Sequence, residues 1–265
     1  MKTSRLIRWT PVLTYLVFSA AICTLASAQT GFSDLSYSAD SWHVAASPYL
    51  WLAGLNGTVG FSGREVQVNQ SFTDIFSNLK FGVMGLTEIN RGPLSLFTDA
   101  MYIRLGNETA IPVQGLPSAV NVNTSLNTFT LTPYLGYRLF GNKRGSIQLL
   151  TGLRYYHIGV TINANAGTIA SASYSTSDNW ADFVQGGHFT LNITRRINAF
   201  FFGDAGLGGS LLTYQLAGGA AYEWNKKWST SLGYRRLYFN RQTSAGLDLE
   251  PTQQGLVIGA TYRFR

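Results

Sequence analysis

Cysteine, histidine and charge are all scarce in this chain of 265 residues. Its one cysteine, Cys23, sits in an apolar N-terminal run, so the chain beyond it has no disulfide and no thiol chemistry. Cys23 follows Ala20-Ala21-Ile22, which lacks the residue order of a lipid-attachment site. The three histidines, His43, His157 and His188, are scattered without metal-ligand spacing, so neither a metal nor another cofactor is expected. Charged residues amount to only 12%. The basic ones fall in pairs rather than in a patch, which argues against nucleic-acid binding. No glycine-rich phosphate loop follows a strand and opens a helix. No apolar run reaches the roughly 20 residues that a membrane-spanning helix needs.

What is present starts with an export signal. Lys2, Arg5 and Arg8 precede an apolar run from Pro11 to Leu25, which ends in Ala26-Ser27-Ala28. This order predicts a cleaved signal peptide over 1–28, a flexible periplasmic lead-in over 29–41 and a single domain over 42–265. Removing the three basic residues of the signal leaves 17 Lys+Arg against 13 acids, a net charge of about +4. The 28 Gly, 14 Tyr and 16 Phe favour strands and tight turns over helices.

From Ser41 onward the pattern has period two. Segments near 42–53, 80–91, 94–106, 124–140, 146–162, 180–193, 197–211, 213–224, 228–240 and 254–264 have the length of tilted membrane strands. In 124–140, Phe129, Leu131, Pro133, Leu135, Tyr137 and Leu139 share one face, and Thr128, Thr130, Thr132, Tyr134, Gly136 and Arg138 the other. Such alternation in every segment fits a wall with lipid on one side and a polar lumen on the other. The predicted fold is therefore an all-β, antiparallel transmembrane β-barrel of about ten strands. Eight or twelve also satisfy the pattern, because Asn56–Phe61 and Glu65–Val68 can form a further hairpin. Connections alternate in length. Four short ones carry Lys or Arg, at 90–93, 141–145, 194–196 and 225–227, whereas 54–79, 107–123, 163–179 and 241–253 are long. Short turns are periplasmic and long loops extracellular in such barrels. Trp42, Phe140, Trp180, Trp224, Trp228, Tyr262 and Phe264 near the strand ends are expected to form interfacial girdles.

The last strand, Gln254 to Arg265, puts Leu256, Ile258, Ala260, Tyr262 and Phe264 on one face. A chain ending this way resembles the Gram-negative outer-membrane β-barrels, although those usually end on the aromatic itself and here Arg265 follows. The resemblance implies residence in the bacterial outer membrane, contact with its lipids, and a terminal signal at Tyr262 and Phe264 for the barrel assembly machinery. Pro48-Tyr49-Leu50-Trp51, Gly57, Asp99, Trp180-Ala181-Asp182, Gly203-Asp204-Ala205-Gly206 and Gly233-Tyr234-Arg235, in that order, resemble a group of outer-membrane barrels to which no activity is assigned. That likeness implies the fold and no chemistry.

Parity places Glu88, Asp99, Asp182, Asp204 and Glu223 in the lumen against Arg138, Arg154, Arg235 and Arg263. Near-neutrality predicts pairing, since an unpartnered charge in a narrow wall is costly. The inward glycines Gly152, Gly186, Gly206, Gly219, Gly233 and Gly259 are expected to leave space in the bore. Phe72, Ile75, Phe76 and Leu79 have helical spacing behind Ser71 and Asp74, which predicts a short amphipathic helix that plugs the pore or caps its rim. No catalytic constellation emerges. His188 and Asp182 share a face but lie six residues apart, roughly 20 Å along a strand. The expected function is a structural barrel or narrow pore for a small solute of unknown identity, not an enzyme. The alternatives are a lipid-active hydrolase or deacylase using the lipid-facing His157, and a secreted soluble β-carrier.

Overall fold

The computed structural model describes residues 41–61, 64–111, 120–165, 171–243 and 247–264, nearly all of them in β-strands. The expected signal peptide, and the lead-in except for its last residue, lie outside the described residues. The strands are β1 (Trp42–Phe61), β2 (Arg64–Gln70), β3 (Leu79–Arg91), β4 (Leu94–Ile111), β5 (Val120–Asn142) and β6 (Gly145–Asn165). They continue with β7 (Ser171–Asn192), β8 (Ile197–Gly208), β9 (Leu212–Glu223), β10 (Trp228–Gln242) and β11 (Leu247–Arg263). Every pairing is antiparallel, and β11 returns to β1 in a register running from Ala45↔Arg263 to Phe61↔Leu247. Closure pairs the ring strands on both sides, apart from Tyr49–Gly54 of β1 on its β3 side among the described residues. Among the described residues β2 pairs only with the far half of β1, as the hairpin anticipated from the sequence, so the closed ring holds ten strands.

Short polar turns form one end of the barrel. Gly92 takes a φ of 57°, which its missing Cβ permits, and Pro93 completes the link from β3 to β4. The Asn142 carboxamide oxygen accepts from the N–H groups of Arg144 and Gly145, and the Asn225 oxygen from those of Lys227 and Trp228. Thr194 does the same for Arg196 and Ile197. Side-chain acceptors of this kind stabilise a chain reversal in place of ladder partners.

The two faces of each strand differ as parity requires. Leu50, Leu135 and Leu232 point outward and are 65%, 57% and 57% exposed, while the inward Tyr134, Leu150 and Val184 are 2%, 1% and 0% exposed. A continuous belt of exposed large apolar residues fits a lipid solvent and would be a liability in water. Exposed Trp42, Phe140, Trp224, Trp228 and Phe264 ring the turn end, with Tyr262 packed between Trp228 and Phe264.

Several expectations need correction. The strands run well past the predicted limits at the end opposite the short turns, so much of the expected loops 54–79, 107–123, 163–179 and 241–253 is sheet. Outside the bilayer the alternation no longer needs an apolar face, and Ser, Thr and Asn obscured it. Trp180 is not a girdle residue. Because β7 begins at Ser171, Trp180 lies mid-strand and faces inward at 5% exposure, stacked on Tyr156 at 4.8 Å. Of the inward glycines, Gly233 and Gly259 border open space inside the barrel as expected, whereas Gly152, Gly186, Gly206 and Gly219 do not widen the bore. A Cβ on Gly152 would sit 2.3 Å from the Pro133 carbonyl oxygen, and one on Gly186 would sit 2.0 Å from that of Gly203. The missing side chains let neighbouring strands coil closely against one another. The helix, α1 (Phe72–Ser77), stops short of Leu79, which opens β3. Its capping box is the predicted one: Ser71 accepts from the Asp74 N–H at 3.2 Å, and Asp74 accepts from the Ser71 N–H at 2.9 Å. None of its residues is buried and Phe76 is 61% exposed, so α1 does not plug the lumen; it rests on β1 and β2.

That contact falls at an irregular place in the wall. β1 pairs with β3 as far as Pro48↔Gly85 and with β2 from Leu55↔Gln70 onward. Tyr49–Gly54 have no ladder partner on this edge among the described residues. Pro48, which has no N–H, marks where β3 departs.

Candidate functional site

Two groups of inward side chains tie the walls together at mid-height, and they share one design. In the first, the Arg154 guanidinium from β6 donates to the Asp204 carboxylate on β8 at 2.5 Å and to the Tyr134 hydroxyl on β5 at 2.7 Å. Tyr134 in turn donates to the same Asp204 oxygen at 2.6 Å, closing a triangle. Further guanidinium N–H groups reach Thr132 and, on β9, Thr213; Thr213 is also 2.9 Å from the Tyr156 hydroxyl. The Arg154 and Asp204 side chains are wholly excluded from solvent.

In the second, Arg235 from β10 donates to Asp99 on β4 at 2.7 Å, to the Tyr49 hydroxyl on β1 at 2.7 Å and to Gln215 on β9 at 2.6 Å. Tyr49 donates to the other Asp99 oxygen at 2.7 Å. The guanidinium also lies over the Trp51 ring, 4.7 Å from its centroid. Each arginine thus meets a carboxylate, a tyrosine and a neutral acceptor. Such pairing compensates for removing the charges from water. Strand β9 serves both groups through Thr213 and Gln215.

Toward the extended end an apolar layer covers this network. Tyr156, Trp180 and Phe239 pack ring against ring with Trp51, Met101 and Leu237. Beyond it Arg241 pairs with Asp178 at 3.1 Å and lies over the Trp180 ring. Toward the turn end the network roofs a cavity of about 310 Å³, walled by Leu86, Phe97, Phe200, Phe202 and His188. Arg263, half-exposed, pairs with Glu223 at 3.3 Å beside its mouth.

Of the nine lumen residues read from the sequence, six meet in three pairs: Arg154–Asp204, Arg235–Asp99 and Arg263–Glu223. The other three have different partners. Glu88 accepts from the Asn90 carboxamide at 2.6 Å, and Arg138 donates to the Gly92 carbonyl. Asp182 is fully buried and accepts from the Ser210 N–H at 2.6 Å, while its second oxygen has no hydrogen-bond partner among the described residues. Asp182 lies directly across the sheet from Arg154, whose donors are engaged elsewhere. Sequence reasoning missed Tyr49, Tyr134, Thr213 and Gln215, although all four have inward parity. It also missed Asp178 and Arg241, which fell in segments read as loops.

The histidines stand apart. His157 contacts the Asn179 side chain at 2.5 Å on the outward face, and Tyr155 donates to the same Asn179 oxygen. His188 packs edge-on to Phe97 in the cavity wall. His43 contacts the Ser41 hydroxyl at 3.0 Å near the turn end. Outside the wall, the Ser71 hydroxyl and N–H hold the Asp74 carboxyl below its usual pKa range.

Fold and belt together define the class: an antiparallel transmembrane β-barrel. No protein-family model matches the chain, and no curated protein matches it. Among solved structures it is similar to the outer-membrane protease OmpT of Escherichia coli, at 10% identity over 88% of this chain and 99% of that one, with a TM-score of 0.47. It is also similar to the translocator domain of the autotransporter NalP from Neisseria meningitidis, at 14% identity over 96% of each chain and a TM-score of 0.43. For Ail, the attachment invasion locus protein of Yersinia pestis, the identity is 11% over 84% of this chain and 99% of that one, with a TM-score of 0.41.

Proposed function

We propose that the protein is a structural barrel of the bacterial outer membrane, sealed at mid-height, whose cavity admits a small solute from the periplasmic side only. The observation that carries this reading is the complete exclusion of Arg154 and Asp204 from solvent beneath the Tyr156–Trp180–Phe239 layer. A conducting pore needs a continuous water column, and a solvated guanidinium would line it. In this reading the short Lys- and Arg-bearing turns face the periplasm and anionic headgroups, the extended strands face outward, and the chain is exported through cleavage after Ala28. In this reading His157 and His188 are structural: the one contacts an amide and the other packs against an aromatic edge.

Planar-bilayer recording of the refolded protein tests the proposal. The wild-type protein should show no steady unitary conductance. Replacing Arg154 and Arg235 by Ser together with Trp180 and Phe239 by Ala should open one, since the ties across the lumen and the layer above them are then both lost. A wild-type channel that conducts at rest would make the protein a narrow pore and overturn the sealed-barrel reading.

A further inference from the structure

Strands β5, β6 and β7 reverse their chemistry above the lipid belt. Within the belt their outward residues are apolar, as in the row Leu131–Tyr155–Ala181. Phe129 and Tyr155, with ring centroids 6.3 Å apart, lie at its upper limit. Beyond it the outward face is a ladder of small neutral polar groups in register across three strands. One row is Ser125–Thr161–Ser175 and the next is Asn123–Asn163–Ser173. Thr161 and Ser175 are hydrogen-bonded at 3.1 Å, and Ser173 donates to Asn163 at 2.7 Å. The rows on either side are again Asn, Ser or Gly. The inward residues of the same segments are mixed, with Val122, Leu126, Ile158, Val160 and Ile162 beside Thr124, Thr128 and Thr176, so the uniformly polar character belongs to the outward face.

The array lacks charge where solvated sheets normally carry it. Lys and Glu on such faces keep a sheet soluble and unaggregated. Among the described residues charge stands at the β4 margin, with Arg104 beside Asn127, Glu108 beside Asn123 and the Lys80 side chain against Gly106, which pairs with Ser125. Amides and hydroxyls each donate and accept, so a surface of this kind matches a partner rich in hydroxyl groups without desolvating an ion. The array continues directly upward from the lipid-facing belt. In an outer membrane the layer above the outer-leaflet acyl chains is the saccharide of the glycolipid.

We propose that the outward face of β5–β7 above Phe129 is a binding surface for the saccharide head of the outer-leaflet glycolipid, held through neutral hydrogen bonds. The proposal rests on the orientation given above, which epitope tags at Lys143 test separately. Folded full-length protein, checked by its heat-modifiable gel mobility, is titrated with lipopolysaccharide bearing a complete core and with deep-rough lipopolysaccharide lacking the outer sugars. The wild-type protein should prefer the complete core by about tenfold, equal to about 1.4 kcal/mol. Thr161→Val combined with Asn163→Ala should bring the ratio close to one, with strand propensity kept by valine. Thr176→Val, on the inward face of β7, should leave the ratio unchanged. A wild-type ratio near one, or an outward-face variant that keeps the wild-type preference, would overturn the proposal. Competition by free dextran as effective as that of the complete-core glycolipid would overturn it too, because the occupant would then be a soluble saccharide.

Discussion

Arg154 shows why single residues matter most at mid-height. Its partners come from β5, β8 and β9, so losing one leaves a cation that is excluded from water short of a compensating bond. Asp204→Asn should lower stability by about 3–5 kcal/mol, the usual result of breaking a buried pair, and be read as an earlier melt of the heat-modifiable band. Tyr134→Phe should cost less, about 1–3 kcal/mol, because the ion pair survives and one hydroxyl is lost. Asp182→Asn should fall well below Asp204→Asn, since the amide oxygen can keep the Ser210 N–H and no guanidinium loses a direct bond. Equal losses for Asp182→Asn and Asp204→Asn would show that the electrostatic field around Arg154 outweighs its contacts. On the outer face, Leu135→Arg and Leu153→Arg should each impair assembly by about 2–4 kcal/mol at the bilayer midplane. Thr130→Arg, pointing inward, should damage assembly differently: it forces a further cation into a buried layer that already holds Arg154 and Arg235.

Among the elements, α1 is held by one side-chain cap and little burial. Its Asp74 carboxylate has a lowered pKa because Ser71 donates to it twice, through its hydroxyl and its N–H. A depressed carboxylate pKa contributes stability that is present above the ordinary value near 3.8 and is lost as pH falls through the folded-state value. The protection factors of the α1 amides should therefore fall on acidification below that range, while the barrel strands stay protected. Ser71→Ala should speed the same amides at neutral pH and remove the acid dependence. If α1 exchange keeps its wild-type pH dependence in that variant, the cap does not hold the helix. The strands follow a different logic. Their membrane halves were legible because lipid imposes an apolar outer face on a period of two. Their upper halves were not, since Ser125, Thr161 and Ser175 satisfy a sheet and a polar loop equally well by composition.

For the whole molecule, stability and closure have the same source. The arginine groups that tie β6 to β8 and β10 to β4 also fill the cross-section, so variants that open the lumen should melt earlier as well. Epitope tags at Lys143 or Lys226 should need a permeabilised outer membrane for detection, and tags beyond β4 or β6 should be reached on intact cells. Surface labelling at Lys143 would reverse the orientation and with it the periplasmic cavity.

The alternation in Phe129–Leu139 and Leu256–Phe264 determined by itself that the wall is a strand with unlike faces, because side-chain direction along a strand is a local property. Closure followed from many such segments and from short polar turns that need only a few residues to form. Parity also placed Arg154, Asp204, Arg235 and Asp99 inside. Which arginine meets which acid was decided by the tertiary structure alone. That choice depends on strand stagger and on how far a side chain reaches across the lumen, so Asp182, directly beside Arg154 in the sheet, yields it to Asp204 two strands away. Gly152 and Gly186 were misread for the same reason. Their inward position is local, whereas the carbonyl 2.0 Å from a Cβ on Gly186 belongs to the neighbouring strand and exists only once the barrel has coiled.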